Sequence, residues 1–276
     1  MKWGMRMNKV LEGIKADFIA LIKNNEGFYA AWDFGSQTHG LSDEYSDVDI
    51  VLLADGKRFN ALVREAETLL GSLGSTTLCY PEGFNGEAVV NNGYLIKVNG
   101  RLFQFDIFIL NSLMLSDCFC RLHYTGLREC DIIFDREGRA KELAGLDIKG
   151  SLWNEDISRL ETVYWYHAYM TYKYLARGDF FKLYNAVHTM YEAHSSLLLT
   201  EYDCIPWGGS ANKLSFIPAD KQEHLKKYCC MPDMDVTRDN ILFSMECFLG
   251  DLREAADKKA IEPSGIGREI INMIKG

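Results

Sequence analysis

The chain has 276 residues, 47% of them hydrophobic and 25% charged, which suits one large globular domain or two modest ones. Its net charge of −9 and its pI of about 5.2 disfavour a partner bound through a nucleic-acid backbone, because such binding depends on Lys and Arg. No apolar run is long enough for a transmembrane span or a secretory signal. We therefore expect a cytoplasmic protein that binds neither nucleic acid nor membrane.

The first predicted elements alternate between helix and strand. Apolar residues at helical spacing predict the two helices, and short aromatic or aliphatic runs predict the two strands. The helices cover residues 8–23 and about 58–70, and the strands cover 28–34 and 47–53.

A β-hairpin is predicted next. Two apolar strands, 94–98 and 102–110, are separated by Asn99-Gly100, a pair that is typical of a tight hairpin turn. This pairing places Asp106 inside the second strand. A last strand-like segment covers residues 131–134.

Beyond residue 150 the pattern becomes helical. Gly178 can end one helix and Asp179 can cap the next. The predicted helices cover about 155–177, 179–200, about 219–230 and 236–260. The change of period predicts two domains, 1–150 and 151–276. The expected class is α+β, with a mixed sheet and flanking helices followed by a helical bundle, and with the active site in the cleft between them.

Asp47 and Asp49 are candidate metal ligands. Alternate residues of a strand share one face, so their carboxylates should lie close together. Two like charges at that spacing repel each other unless a cation compensates them. Mg²⁺ prefers such oxygen ligands together with substrate phosphates, so the pair predicts a magnesium site.

Gly35-Ser36 lies where the first strand should turn into a helix. Glycine allows the backbone to come close to a ligand, and free N–H groups at such a turn bind anions. The Ser36 hydroxyl can donate one more hydrogen bond. A triphosphate fits this arrangement.

Gly35-Ser36, Gly40 and Ser46-Asp47-Val48-Asp49 together resemble the motif of the polymerase-β-like nucleotidyltransferases. The run from Gly35 to Asp49 is more narrowly similar to small bacterial enzymes that inactivate lincosamide and aminoglycoside antibiotics. The resemblance covers residues 28–110 at the level of motifs and the helical half only by its general layout.

This resemblance implies a third metal-binding carboxylate on a neighbouring strand. Asp106, between Phe105 and Ile107, fits that position and is also our candidate general base. Asp131 and Asp135 are weaker candidates, because both lie near strand ends where water can solvate them.

The resemblance further implies ATP or another nucleoside triphosphate as co-substrate and two Mg²⁺ ions. The residues that it places at the nucleotide are Gly35, Ser36, Ser46 and, from the helical half, Lys173, Arg177 and Lys182. For the three basic residues a solvated helix face is the alternative. Lys213 is similar to a lysine of some antibiotic nucleotidyltransferases.

Two other features of the helical half remain open. His188 and Glu192 are spaced as metal ligands can be, but a surface pair is the alternative, and Glu192 is a second candidate for the general base. The aromatic residues between positions 164 and 174 lie on all sides of their predicted helix. This favours either packing, between domains or in a homodimer, or an aromatic surface that contacts the acceptor.

The predicted function is the metal-dependent transfer of a nucleoside monophosphate, AMP from ATP, to a hydroxyl of a small molecule such as an aminoglycoside or lincosamide. One alternative is a nucleotidyltransferase that acts on a protein or an RNA, although the acidity counts against RNA. Another is a catalytically idle nucleotide sensor or an antitoxin-like interaction module.

Overall fold

The computed structural model describes residues 8–40, 42–146, 156–202 and 210–276. The chain divides into two compact units, Met1–Lys149 and Gly150–Gly276. All strands of the described residues lie in the first unit, and the second is helical, so the predicted α+β class is confirmed. Within the described ranges no helix has the length and apolar character needed to cross a lipid bilayer.

The first unit is built on a six-stranded sheet. Its strands are β1 (Phe28–Asp33), β2 (Val48–Ala54), β3 (Ser75–Pro81), β4 (Val89–Val98), β5 (Arg101–Asn111) and β6 (Ile132–Asp135). They lie in the order β3-β4-β5-β2-β1-β6. The central pair β2 and β5 is parallel, and the other neighbouring pairs are antiparallel. The parallel register places the start of β2, at Val48, beside Phe105 of β5.

Both faces of this sheet are covered. Strand β2 sends Ile50 and Leu52 into one core and Val51 and Leu53 into the other, which explains its continuous apolar sequence. Helices α1 (Lys9–Lys23) and α2 (Phe59–Gly71) pack on the first face, and the short helices α3 (Cys118–Leu122) and α4 (Arg139–Ala144) contribute to the second. The strand that carries Asp49 is thus held on both sides.

The predicted hairpin is confirmed, and the sheet is larger than the sequence indicates. Asn99 and Gly100 both have positive φ, 50° and 80°, and Val98 pairs with Arg101 across the turn. Strand β4 begins at Val89 rather than at residue 94. Strand β3 was not predicted, because every residue of this edge strand is exposed and the alternation of apolar residues is absent.

The second unit is a helical bundle. Its helices are α5 (Ile157–Arg177), α6 (Phe180–Tyr202), α7 (Ser210–Leu214), α8 (Ala219–Leu225), α9 (Met234–Lys259) and α10 (Ile266–Lys275). Gly178, with φ of 63°, ends α5 as predicted. Helix α8 ends at Leu225 rather than at residue 230, and the Tyr228 hydroxyl in the following segment bonds Tyr164 and His194. Helix α10 lies outside the predicted elements.

A buried charge network joins α6, α8 and α9 of this bundle. Asp251, which is 3% exposed, accepts hydrogen bonds from His194 Nε2 at 2.8 Å, His224 Nδ1 at 2.7 Å and Lys221 Nζ at 2.7 Å. Burial raises the pKa of Asp251, but the three hydrogen bonds outweigh it and hold the pKa at about 2. His194, His224 and Asp251 have the spacing of a metal site, yet the Lys221 ammonium already supplies the positive charge. We therefore interpret the network as structural.

We expect Asp251→Asn to lower the free energy of unfolding by about 3 to 5 kcal/mol at pH 7, because it leaves the Lys221 charge buried with weaker compensation. Urea unfolding measures this loss. The difference from the unmodified protein should shrink as the pH falls from about 4 toward 2, since the folded pKa lies below the unfolded one.

The matched control is Arg238→Gln, which breaks an exposed ion pair with Asp235 on the same helix. It should cost less than about 1 kcal/mol. Equal losses in the two variants would contradict a structural role for the buried network.

Candidate active site

Three carboxylates meet where β2 begins, beside the middle of the neighbouring strand β5. Asp49 of β2 and Asp106 of β5 are direct partners in the parallel register, and Asp47 lies one residue before β2. One oxygen of each carboxylate lies within 4.8 Å of the others. The structure therefore brings together the three residues that the sequence proposes as metal ligands.

The electrostatics of this cluster are unfavourable without a cation. Burial raises the pKa of Asp49 well above its usual value, and the charges of Asp47 and Asp106 raise it further. Burial also raises the pKa of Asp106 to about 6, although Gln104 donates a hydrogen bond to its Oδ2 at 3.0 Å. Like charges held in a partly buried site cost free energy, and a bound divalent cation would offset that cost.

Gly35 is required beside the cluster for two reasons. Its φ of +66° favours glycine, and a Cβ at this position would overlap Asp49 Oδ2. The bend and the strand are also joined by the backbone, since Phe34 N donates to Asp49 O at 3.2 Å. The short 3₁₀ turn Gly35–His39 follows, so Ser36 lies at its start. The predicted bend is thus in direct contact with a predicted metal ligand.

The loop between the bend and β2 is closed by its own side chains. Ser46 Oγ accepts a hydrogen bond from Asp43 N at 2.8 Å and donates one to Asp43 Oδ1 at 3.2 Å. Gln37 Nε2 donates to Asp47 O at 3.4 Å. In this structure the Ser46 hydroxyl shapes the loop, and its predicted contact with a nucleotide stays a prediction.

Lys15 was missed by the sequence analysis. From α1 its ammonium lies 2.5 Å from Asp33 Oδ1 and 2.6 Å from Gln37 Oε1. Its charge lowers the pKa of Asp49 against the larger opposing effects. The sequence feature that could have pointed to a basic partner is Asp33, an acid at the end of an aromatic strand two residues before Gly35. Lys15 thus supplies a positive charge beside the acidic cluster.

Asp131 differs from the expectation that water solvates it. Its side chain is 8% exposed and accepts two hydrogen bonds from Arg128, at 2.6 and 2.7 Å. Arg128 also donates to Thr38 O, so the pair supports the bend. Asp135 Oδ2 accepts from Lys141 N at 3.1 Å. Neither acid belongs to the cluster of three.

The basic candidates of the helical unit surround the end of α5. Lys173 is half-buried, with Nζ 6.0 Å from the centre of the Tyr169 ring, and Arg177 is exposed in the last turn. Lys182 Nζ lies 3.0 Å from Asp179 Oδ2 in an exposed ion pair. Their contact with phosphate stays a prediction.

The remaining candidates of this unit differ in exposure. His188 Nε2 lies 3.5 Å from Glu192 Oε1, and both side chains are exposed, which is typical of a surface pair. Lys213 is buried in α7. Among the aromatic residues of α5, Tyr164 and Trp165 are buried. Tyr166, Tyr169 and Tyr172 are exposed.

No protein-family model matches the sequence, and no curated protein matches it. Among solved structures, the chain is similar to an aminoglycoside 6-adenyltransferase from Bacillus subtilis, with 11% identity, a TM-score of 0.45 and coverage of 96% of each chain. It is also similar to a nucleotidyltransferase-like protein from Exiguobacterium sibiricum 255-15, with 9% identity, a TM-score of 0.40 and coverage of 90% of this chain and 77% of that one.

We expect Gly35→Ala to cost more stability than Gly40→Ala. Both glycines have nearly the same positive φ, +66° and +67°, so both variants carry a backbone strain of about 1 to 2 kcal/mol. Only at Gly35 would the new methyl group also displace Asp49, because among the described residues no atom lies within 4 Å of a Cβ at Gly40. Urea unfolding measures both losses.

Thermal unfolding with Mg²⁺ adds a second readout. Mg²⁺ should raise the melting temperature of the unmodified protein and of Gly40→Ala, but not that of Gly35→Ala, since ligand binding stabilises only a competent site. Identical stability and identical metal response in the two variants would show that Gly35 does not position Asp49.

Proposed function

We propose that the protein is a metal-dependent nucleotidyltransferase that transfers AMP from ATP to a hydroxyl group of a small molecule of the aminoglycoside or lincosamide kind. The observation that carries the proposal is the convergence of Asp47, Asp49 and Asp106 beside the Gly35-Ser36 bend. A cluster of like charges next to a bend with a close backbone approach suits a metal-bound triphosphate.

The donor set fits Mg²⁺. Three carboxylates supply hard oxygen ligands, and their mutual repulsion favours the binding of a divalent cation among them. Two ions held there would neutralise phosphate charge and stabilise the attacking and leaving oxygens of an in-line displacement. Asp49 and Asp106 are the best placed to hold them, because the parallel register fixes the two side chains next to each other.

The nucleotide is proposed to bind with its phosphates at the bend. Backbone N–H groups at the start of the 3₁₀ turn and the Ser36 hydroxyl would donate to phosphate oxygens. Lys173, Arg177 and Lys182 are proposed as further phosphate ligands, since they gather around the Gly178 bend and carry the required charge.

In the proposed reaction the acceptor hydroxyl oxygen forms a bond to the α-phosphorus of ATP. The bond between that phosphorus and the oxygen bridging to the β-phosphate breaks, and pyrophosphate leaves with the bonding electrons. Asp106 takes the hydroxyl proton, with Glu192 as the alternative base. The protein contributes mainly position and charge, because phosphoryl transfer needs little covalent participation.

The proposal is tested by incubating the protein with Mg²⁺, each labelled nucleoside triphosphate and a panel of aminoglycosides and lincosamides. We expect one acceptor to gain the mass of one nucleotide while pyrophosphate is released. Asp47→Asn and Asp106→Asn should each reduce the rate by at least about a hundredfold. The proposed acceptor class is wrong if pyrophosphate appears but no member of the panel is modified.

Asp55→Asn is the matched control for these substitutions. Asp55 follows the other end of β2 and caps the next turn by accepting from Lys57 N at 3.0 Å, a role that Asn also fills. Its rate should be unchanged. If Asp55→Asn reduces the rate as much as Asp47→Asn does, the loss comes from general disturbance and not from the carboxylate cluster.

Calorimetric titration with ATP separates catalysis from a nucleotide sensor. We expect ATP binding to depend strongly on Mg²⁺ and to be lost in Asp47→Ala, because Asp47 would help to hold the ion and the ion would neutralise the phosphate charge. Tight ATP binding without metal, unchanged in Asp47→Ala, would favour an idle sensor and overturn the proposal.

A further inference from the structure

A groove of about 420 Å³ lies between α5 and α10 of the helical unit. Residues of α5 at positions 161, 162, 165, 166 and 169 form one stripe along that helix, and residues 266, 269, 270 and 273 form the facing stripe on α10. Its volume suits a small organic molecule.

Aromatic side chains form one wall of this groove. Trp165 is buried against the backbone of Gly267, where any Cβ would overlap the indole ring. This close packing fixes the indole at the bottom of the groove. Tyr166 and Tyr169 extend the wall outward and are 62% and 41% exposed. Exposed rings next to a fixed indole offer open π-faces, which attract cations.

The groove is also acidic. Glu161 and Glu269 line it, and as far as the chain is described, the lining contains no Lys or Arg. Glu161 is 7% exposed, and its Oε1 accepts hydrogen bonds from Ser264 N at 2.9 Å and Ser264 Oγ at 2.6 Å, both neutral donors. A buried carboxylate held by neutral donors keeps its attraction for a cation.

The basic residues of α10 are directed elsewhere. Arg268 Nη1 lies 2.6 Å and Lys275 Nζ 3.0 Å from the carboxylate of Glu246 on α9. Lys173 Nζ is 6.0 Å from the centre of the Tyr169 ring, which is the outer limit of a cation–π contact. An ammonium group of the protein itself thus already approaches one end of the aromatic wall.

We propose that this groove binds a small organic cation, a protonated or quaternary amine attached to an apolar body. The ammonium group would lie between the aromatic faces of Tyr166 and Tyr169 and the carboxylate of Glu269. The apolar body would cover Ile266, Ile270 and Met273, which line the opposite wall. This site is argued from the helical unit alone and does not rest on the proposed nucleotidyl transfer.

The test is calorimetric titration of the full chain with benzyltrimethylammonium, compared with its neutral analogue neopentylbenzene at matched free concentration. We expect the cation to bind and the neutral analogue to bind at least about fivefold more weakly. Tyr166→Ala and Glu269→Gln should each weaken cation binding about fivefold, because each removes one of the attractive groups. Both residues are exposed, so both variants should keep the unfolding midpoint of the unmodified protein.

The matched controls are Tyr184→Ala and Glu223→Gln, which remove an exposed tyrosine and an exposed glutamate elsewhere in the helical unit. They should bind the cation normally, and so should Asp106→Asn, which separates this site from the carboxylate cluster. The proposal is overturned if the neutral analogue binds equally, if the groove variants bind normally, or if the cation shows no binding at millimolar concentration.

Discussion

The mutual repulsion of the acidic side chains of Asp47, Asp49 and Asp106 is the main constraint on the structure of the first unit. Asp49 and Asp106 are forced together by the parallel pairing of β2 and β5, and the backbone hydrogen bonds of that pairing resist their separation. Glycine recurs where these side chains need room. A Cβ at Gly35 would overlap Asp49, and a Cβ at Gly93 would come within 2.8 Å of Asp106. The sheet therefore maintains an arrangement of charge that is unfavourable by itself.

Buried aspartates in the two units have opposite electrostatic surroundings. In both, the potential ligand atoms lie within 4.8 Å of one another, so spacing alone would suggest two metal sites. Asp251 is balanced by Lys221 and by two histidines, and its pKa is lowered. Asp49 has acidic neighbours, and its pKa is raised. The charge around each acid, and not its distance to others, separates a structural network from a candidate metal site.

Local patterns were reliable where they reflect local geometry. The Asn99-Gly100 turn sets the hairpin register, because both residues adopt positive φ, and this places Asp106 in its strand. Patterns failed where burial depends on distant partners. Strand β3 has no apolar alternation because it lies exposed at the edge of the sheet. Asp131 lies near a strand end and is nevertheless buried, since Arg128 reaches it.

The sequence by itself determined the α+β class, the hairpin and the two-residue spacing that puts Asp47 and Asp49 on one side, because these depend on residues close together in the chain. Only the tertiary structure decided that β5 runs parallel to β2 with Asp106 opposite Asp49, and that Lys15 of α1 reaches Asp33 beside the cluster. Pairing between strands more than fifty residues apart leaves no local pattern, since it is selected by the packing of the whole sheet.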